Sequence, residues 1–336
     1  MVKNIFLFIL LISSLTLLAK PIKPDDYQKT MGVGINVNWV TFKKIRAAFL
    51  KAYGSGISVP KLFKKRGFSH VRIRANDDVL KDPEAMRALK IAANESLKAG
   101  LIPIIAYAAS DFIENPSERT LEESVNWWKE IAGIFKGYPY YLSYDLIIET
   151  GKKIKQHNDL LNEFYERVIP EIRKIDPYRI IFVTPNDVSN PCYIKYLKFP
   201  KDDYMMIQWH FYASGPSKKN PKKLWTTGTK KEKKLIIDKI ECALSNAKKL
   251  GMLTWVGAWM PSNYNKSHRD RKFPDGAPAG GDYSLDEIIN FASFMSRTLK
   301  HYGIPYAINA DNKFFDIEHL RWYKSVSKVL DVILDP

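Results

Sequence analysis

Asp82-Pro83-Glu84-Ala85-Met86-Arg87-Ala88-Leu89 opens a stretch that continues to Ala99-Gly100 and then runs Leu101-Ile102-Pro103-Ile104-Ile105-Ala106-Tyr107. Asp82 is a good helix cap, Pro83 suits the first helical position and Gly100 a helix stop, which predicts a helix over Pro83–Ala99. The run that follows is almost continuously apolar and too short for a second helix. It reads as a strand buried on both faces, as in a parallel sheet covered by helices. The same alternation recurs along the chain. Further β-rich runs are Gly32–Asn38, Ser69–Arg74, Leu142–Ile148, Arg179–Thr184, Tyr204–His210, Met252–Ala258 and Ile304–Asn309. Between them the sequence predicts helices over Val125–Phe135, with Thr120 and Glu123 as a capping box, over Leu160–Ile175 and over Lys230–Leu250. Two more follow, one capped by Ser284 with Glu287 and one over Ile317–Leu334. Eight β–α alternations with no break in composition predict an α/β fold, a single (β/α)8 TIM barrel spanning 20–336.

The first nineteen residues stand outside that pattern. Lys3 is followed by an apolar stretch from Ile5 to Leu18 and a small residue, Ala19. This is the form of a secretory signal peptide over 1–19, with a core too short to span a bilayer comfortably. A secreted or periplasmic protein is expected, with no membrane association in its mature form. Of the 336 residues, 46% are hydrophobic and 26% charged, which excludes disordered and multi-span membrane classes. Cys192 and Cys242 are too few for a disulfide scaffold or a four-cysteine zinc site, and spacing leaves their pairing open. The net charge is +16, spread along helices with a local concentration from Lys218 to Lys234. No nucleic-acid motif accompanies it, so nucleic acid is not an expected partner, while an acidic polymer stays open. His70, His157, His210, His268, His301 and His319 form neither H-x-H nor H-E-x-x-H. No metal and no cofactor is expected.

In a barrel, function is read from the carboxyl ends of the strands. Those ends carry Asn38 and Trp39, Arg72 and Arg74, Glu149, Asn186 and Asp187, His210 and Tyr212, Ala258 and Trp259, and Asn309 with Asp311. Aromatic faces with amides and a carboxylate suit sugars, since rings stack on pyranoses and polar groups bind hydroxyls. Trp127, Trp128, Tyr138, Tyr140 and Tyr141 are expected to be structural, and Trp225 is open between site and scaffold. Period-two counting puts Asp145 deep in the barrel, bonded to Arg72 or Arg74.

The order of these segments resembles glycoside hydrolase family 5, the cellulase-like retaining glycosidases. Gly34-Ile35-Asn36-Val37-Asn38-Trp39 is similar to the family's first-strand segment and Gly67-Phe68-Ser69-His70-Val71-Arg72-Ile73 to its second. Tyr144-Asp145-Leu146-Ile147-Ile148-Glu149-Thr150 stands where the family's acid/base segment ends in Asn-Glu-Pro. His210-Phe211-Tyr212 matches the sixth-strand His-x-Tyr pair, and Trp255-Val256-Gly257-Ala258-Trp259 the seventh-strand Gly-Glu-aromatic motif. The resemblance implies Glu149 as general acid/base. It implies Arg72, Asn38, Trp39, His210, Tyr212, Trp259 and Asn309 as substrate-binding residues, and a polysaccharide or oligosaccharide partner handled by a monomer. It also places the nucleophile on Ala258, which has no nucleophilic atom, and replaces the family's asparagine before the acid/base by Ile148.

Three expectations follow. The chain could be a hydrolase whose second carboxylate is displaced to Asp77, Asp111, Asp187 or Asp311. It could be a family 5 enzyme that has lost only its nucleophile. It could be a non-catalytic carbohydrate-binding barrel.

Overall fold

A computed structural model describes residues 20–212, 225–261, 272–279 and 283–336; the expected leader and parts of the two long loops after the sixth and seventh strands lie outside these. Eight parallel strands close in sequence order into a barrel. They are β1 (Val33–Val37), β2 (His70–Ala75), β3 (Ile102–Tyr107), β4 (Ser143–Asp145), β5 (Ile181–Val183), β6 (Met205–Phe211), β7 (Thr254–Trp259) and β8 (Tyr306–Ile308). Around them lie α1 (Pro24–Met31), α2 (Lys43–Gly54), α3 (Val59–Arg66), α4 (Pro83–Lys98), α5 (Ser110–Glu114), α6 (Glu118–Phe135), α7 (Asn158–Ile175), the short α8 (Asn186–Ser189), α9 (Lys230–Lys249), α10 (Leu285–His301) and α11 (Ser327–Leu334).

The caps explain where helices start. The Asp82 carboxylate accepts from the Glu84 and Ala85 amides at 3.0 and 3.1 Å, as the sequence predicts. Ser284 and Glu287 make their reciprocal box at α10. At α6 the cap is Ser117 rather than Thr120; the Thr120 hydroxyl returns to the Ser117 amide at 3.1 Å, which starts the helix earlier than expected. The chain end also differs from expectation. Instead of one helix over 317–334, Phe315–Asp316 (β9) pairs antiparallel with Arg321–Trp322 (β10) before α11. Asp316 gathers the Glu318 and His319 amides into a turn. Trp322 packs 4.8 Å from the Phe63 ring and 4.9 Å from Phe315, so aromatic packing overrides the helical pattern.

The barrel interior is layered. At the amino-terminal end α1 plugs the opening, and Tyr27 and Met31 join Ile102, Ile104, Ile180, Phe182, Met206, Trp255 and Ala307 in an apolar cluster. His70 sits in this layer as a neutral ring. Its Nδ1 faces the Met31 carbonyl at 2.7 Å, and Trp255 Nε1 donates to its Nε2 at 3.2 Å. Because indole can only donate, Nε2 must be the lone-pair nitrogen. Gly34 provides the room, since a Cβ there would lie 2.1 Å from the His70 ring. Toward the carboxyl end the interior turns polar. Asn36 Nδ2 donates to the Gly257 and Ile308 carbonyls at 3.0 and 3.2 Å, and Gln208 Nε2 donates to Thr184 Oγ1 at 2.5 Å. Cys192 and Cys242 are joined in a disulfide, with Cα atoms 5.5 Å apart, that ties the segment after α8 to α9.

Candidate active site

The polar layer is organised around Arg72. Its Nε donates to Asp145 Oδ2 at 2.6 Å, and a second nitrogen pairs with the same oxygen; both side chains are fully buried. This is the pairing expected for Asp145. The remaining guanidinium hydrogens reach the Ile148 carbonyl at 2.8 Å, the Gly257 carbonyl at 3.3 Å, Asn36 Oδ1 at 3.4 Å and His210 Nε2 at 3.2 Å. Arginine accepts no hydrogen bond, so the contact with His210 makes Nε2 the acceptor and puts the imidazole proton on Nδ1. Nδ1 lies 3.1 Å from Glu149 Oε2 and therefore donates to it. A buried arginine thus fixes the tautomer of His210, and His210 fixes the carboxylate of Glu149.

Above this layer a cavity of about 380 Å³ opens at the carboxyl ends of the strands. Its lining includes Asn38, Phe42, Arg74, Glu149, His210, Tyr212, Met260 and Asn309. Asn309 spans it: its Nδ2 donates to Tyr212 Oη at 3.0 Å and its Oδ1 accepts from Arg74 at 2.8 Å. Burial holds the Tyr212 phenol protonated well above its usual range. Asn38 Oδ1 accepts from Arg74 at 3.4 Å, and its Nδ2 donates to Asp311 at 3.0 Å. Burial pushes the Asp311 carboxyl up to about 6 against the hydrogen bonds it accepts.

Strand β7 explains the position of Ala258. Pairing with β6 steps from Trp209–Val256 to His210–Ala258, and pairing with β8 steps from Val256 to Trp259. Val256 and Trp259 both pack in the shell between barrel and helices, which leaves Gly257 and Ala258 between them on the inner side. Gly257 must be glycine, because a Cβ would lie 2.3 Å from Gln208 Oε1. Ala258, fully buried, brings a methyl group opposite His210.

The structure brings together Asn38, Glu149, His210, Tyr212 and Asn309 around the cavity, with Arg72 beneath them. Two expected sugar platforms are corrected. Trp39 is fully buried, stacked 5.1 Å from Phe49. Trp259 is fully buried 5.8 Å from Phe291. Both rings serve the outer core, since the bulge and the strand end turn them away from the opening. Trp127 stacks on Tyr107 at 3.9 Å and Trp225 packs 5.4 Å from Phe291, so these too are scaffold. The displaced carboxylates do not line the cavity. Asp77 holds Tyr107 Oη at 2.6 Å, Asp187 pairs with Lys155 at 2.7 Å, Asp111 is exposed on α5 and Asp311 is engaged by Asn38. Among the described lining residues Glu149 is the single carboxylate. No group of three or more His, Cys, Asp or Glu among the described residues could hold a metal ion. The sequence placed Arg74 at the rim, and as an alternative partner of Asp145, without making it a substrate-binding residue, and it gave no role to Phe42. Arg74 was within reach, because it lies two residues beyond Arg72 and so shares its face. Phe42, 56% exposed at the rim, had no strand pattern to mark it.

Endoglucanase H of Acetivibrio thermocellus is 22% identical over 201 residues, 57% of this chain and 22% of that protein, so the match spans about a fifth of the relative. The crystal structure of endoglucanase Cel5A from the hyperthermophilic Thermotoga maritima superposes with a TM-score of 0.72 at 19% identity, covering 93% of this chain and 100% of that one. A hyperthermophilic endo-β-1,4-glucanase in complex with substrate gives 0.73 at 20% identity, covering 92% and 99%. The structural likenesses establish a shared barrel. Residues 33–276 match the family model described as cellulase (glycosyl hydrolase family 5), and the chain belongs to that family.

Proposed function

We propose that the protein acts on β-glycosidic bonds of a polysaccharide outside the cytoplasm, with Glu149 as the acid/base carboxylate and the nucleophile's place on β7 taken by Ala258. The observation that carries this reading is the Arg72–His210–Glu149 chain of hydrogen bonds, which positions one carboxylate at the wall of an open cavity. An acid/base group must hold its proton near the leaving oxygen, and a fixed imidazole donor sets where the other oxygen points. Family membership supports glycan as the substrate class, and the relatives named for endo-β-1,4-glucanase activity support a β-1,4-linked glucan. The leader over 1–19 and the Cys192–Cys242 disulfide support export, since disulfides persist in oxidising compartments.

A second reading has its own observation. A retaining mechanism needs two carboxylates about 5–5.5 Å apart, and the described lining residues bring one. A non-catalytic glycan-binding barrel uses the same cleft without that requirement. One experiment separates the two. Wild type and Glu149→Gln are compared for reducing-end release from hydroxyethylcellulose and for retardation by it in native gels. Release that disappears in Glu149→Gln supports the enzyme. Retardation without release supports the binding barrel, and neither effect rejects glycan as the ligand.

A further inference from the structure

Glu149 is held by its backbone as well as by its carboxylate. On the amino-terminal side the Ile148 amide donates to the Tyr107 carbonyl at 2.8 Å, and the Ile148 carbonyl accepts from Arg72 at 2.8 Å and from Gln208 at 3.1 Å. These partners belong to the barrel's own polar layer. On the other side the contacts come from a loop. Thr150, fully buried, donates its hydroxyl to the Pro185 carbonyl at 2.6 Å. Its Oγ1 accepts from the Ser189 amide at 3.1 Å, and its carbonyl accepts from the Val188 amide at 2.9 Å. Three hydrogen bonds thus join the residue after Glu149 to one turn after β5. Where the motif of the resembled family has proline after the acid/base, this chain has a hydroxyl, and that hydroxyl makes two of the three bonds.

The turn that supplies the partners is strained. Asp187, Val188 and Ser189 have φ of 54°, 63° and 57°, in the left-handed region that favours glycine. Three such residues in a row, with the β-branched Val188 in the middle, persist only where their surroundings over-determine them. Those surroundings are present. Asn186 Oδ1 accepts from the Asp187 amide at 2.8 Å, and the Asp187 carboxylate pairs with Lys155 at 2.7 Å and accepts from Asn190 at 3.0 Å. Asn190 Oδ1 accepts from the Cys192 amide at 3.1 Å, and the Cys192 disulfide reaches α9. The outcome of this costly course is that the consecutive amides of Val188 and Ser189 both meet Thr150.

We propose that Thr150 is a positioning residue for Glu149 and that the left-handed turn 187–189 is the clasp that holds it. The inference deepens the reading above and rests on Glu149 as the acid/base carboxylate. Thr150 follows Glu149 directly, so a shift of its backbone moves the root of the carboxylate side chain. His210 cannot correct such a shift, because it binds the far end of that side chain. A proton donor displaced by about 1 Å loses about 10²-fold in rate.

The test reads the carboxylate without relying on catalysis. Wild type, Thr150→Val, Thr150→Ser and Glu149→Ala are prepared with isotope-labelled histidine. The Nδ1 proton resonance of His210, assigned with His210→Phe, is followed by NMR, with thermal unfolding as a check on folding. Glu149→Ala marks where that resonance lies without its carboxylate partner. Thr150→Val keeps the branched shape and removes the hydroxyl; it is expected to move the resonance at least halfway to that mark, while Thr150→Ser leaves it at the wild-type position. If Thr150→Val does not fold, Thr150→Ala takes its place, since it leaves room for a water between Pro185 and Ser189. A resonance unmoved in the folded variant overturns the proposal, because a merely structural hydroxyl would lower the unfolding midpoint and leave His210 as it is. No difference between wild type and Glu149→Ala overturns it as well. In the second arm the same proteins are assayed for reducing-end release from hydroxyethylcellulose. A fall in kcat of about 10²-fold in Thr150→Val at unchanged KM supports positioning. A moved resonance with release absent from every protein, or unchanged in Thr150→Val, supports the clasp and counts against Glu149 as the acid/base.

Discussion

Asp145 and Arg72 illustrate how one buried pair governs the chemistry above it. Both charges are fully buried; two guanidinium nitrogens of Arg72 meet Asp145, and the same side chain reaches Asn36, His210, Gly257 and Ile148, so neither charge can be removed alone. Asp145→Ala leaves an uncompensated guanidinium in the barrel and should cost about 3–5 kcal/mol in urea unfolding. Loss below 1 kcal/mol would mean that the pair is not load-sharing with the polar layer. His210→Phe keeps the ring volume but removes the donor to Glu149, so it should lower any Glu149-dependent activity about 10²-fold while glycan retardation persists. Equal loss of both would place His210 in binding rather than in orienting the carboxylate.

At the scale of elements, β1 and β2 are fitted to each other through Gly34 and His70. Gly34→Ala forces a methyl into the imidazole, which is pinned on both sides, and should destabilise by about 1–3 kcal/mol or more in the same unfolding experiment. The eight strands were legible in the sequence because burial on both faces leaves a short, continuous apolar run whatever the neighbours are. Asn38, Tyr212 and Asn309 were legible as residues of the rim because each directly follows a strand, His210 because it lies in the last turn of the β6 pleat, and Glu149 because it closes the apolar run that begins with β4. The orientation of Trp39 and Trp259 was not, because the direction of a side chain at a strand end depends on bulges, and the β7 slip between Val256 and Trp259 is a matter of register with two neighbours. The hairpin of β9 and β10 escaped because Phe63, far earlier in the chain, supplies the partner for Trp322. The plug α1 escaped because its role is to close a barrel that local pattern does not show.

For the whole molecule, pH acts through groups that burial has shifted in opposite directions. Burial lowers the His70 imidazole to about 4. The folded state therefore binds fewer protons than the unfolded chain below about 6.5, and the stability from the neutral ring is full above that pH and lost as pH falls toward 4. The full contribution is about 3 kcal/mol. Asp311, raised to about 6, has the opposite sign: its contribution is present below about 4 and lost as pH rises through 6. Urea unfolding between pH 4 and 7 should show a shallower fall toward acid in His70→Gln and a steeper one in Asp311→Asn. Identical slopes in all three proteins would contradict both shifts.

The central claim is the proposal that Glu149, held by His210, serves as acid/base despite Ile148 beside it and that β7 lacks the nucleophile. The most direct measurement is reducing-end release from hydroxyethylcellulose by wild type, Ala258→Glu and the double variant Ala258→Glu with Glu149→Gln. Activity in Ala258→Glu at least about 10²-fold above wild type, abolished in the double variant, is the predicted result. Wild-type release that is indifferent to Glu149→Gln, or no gain in a folded Ala258→Glu, would contradict it.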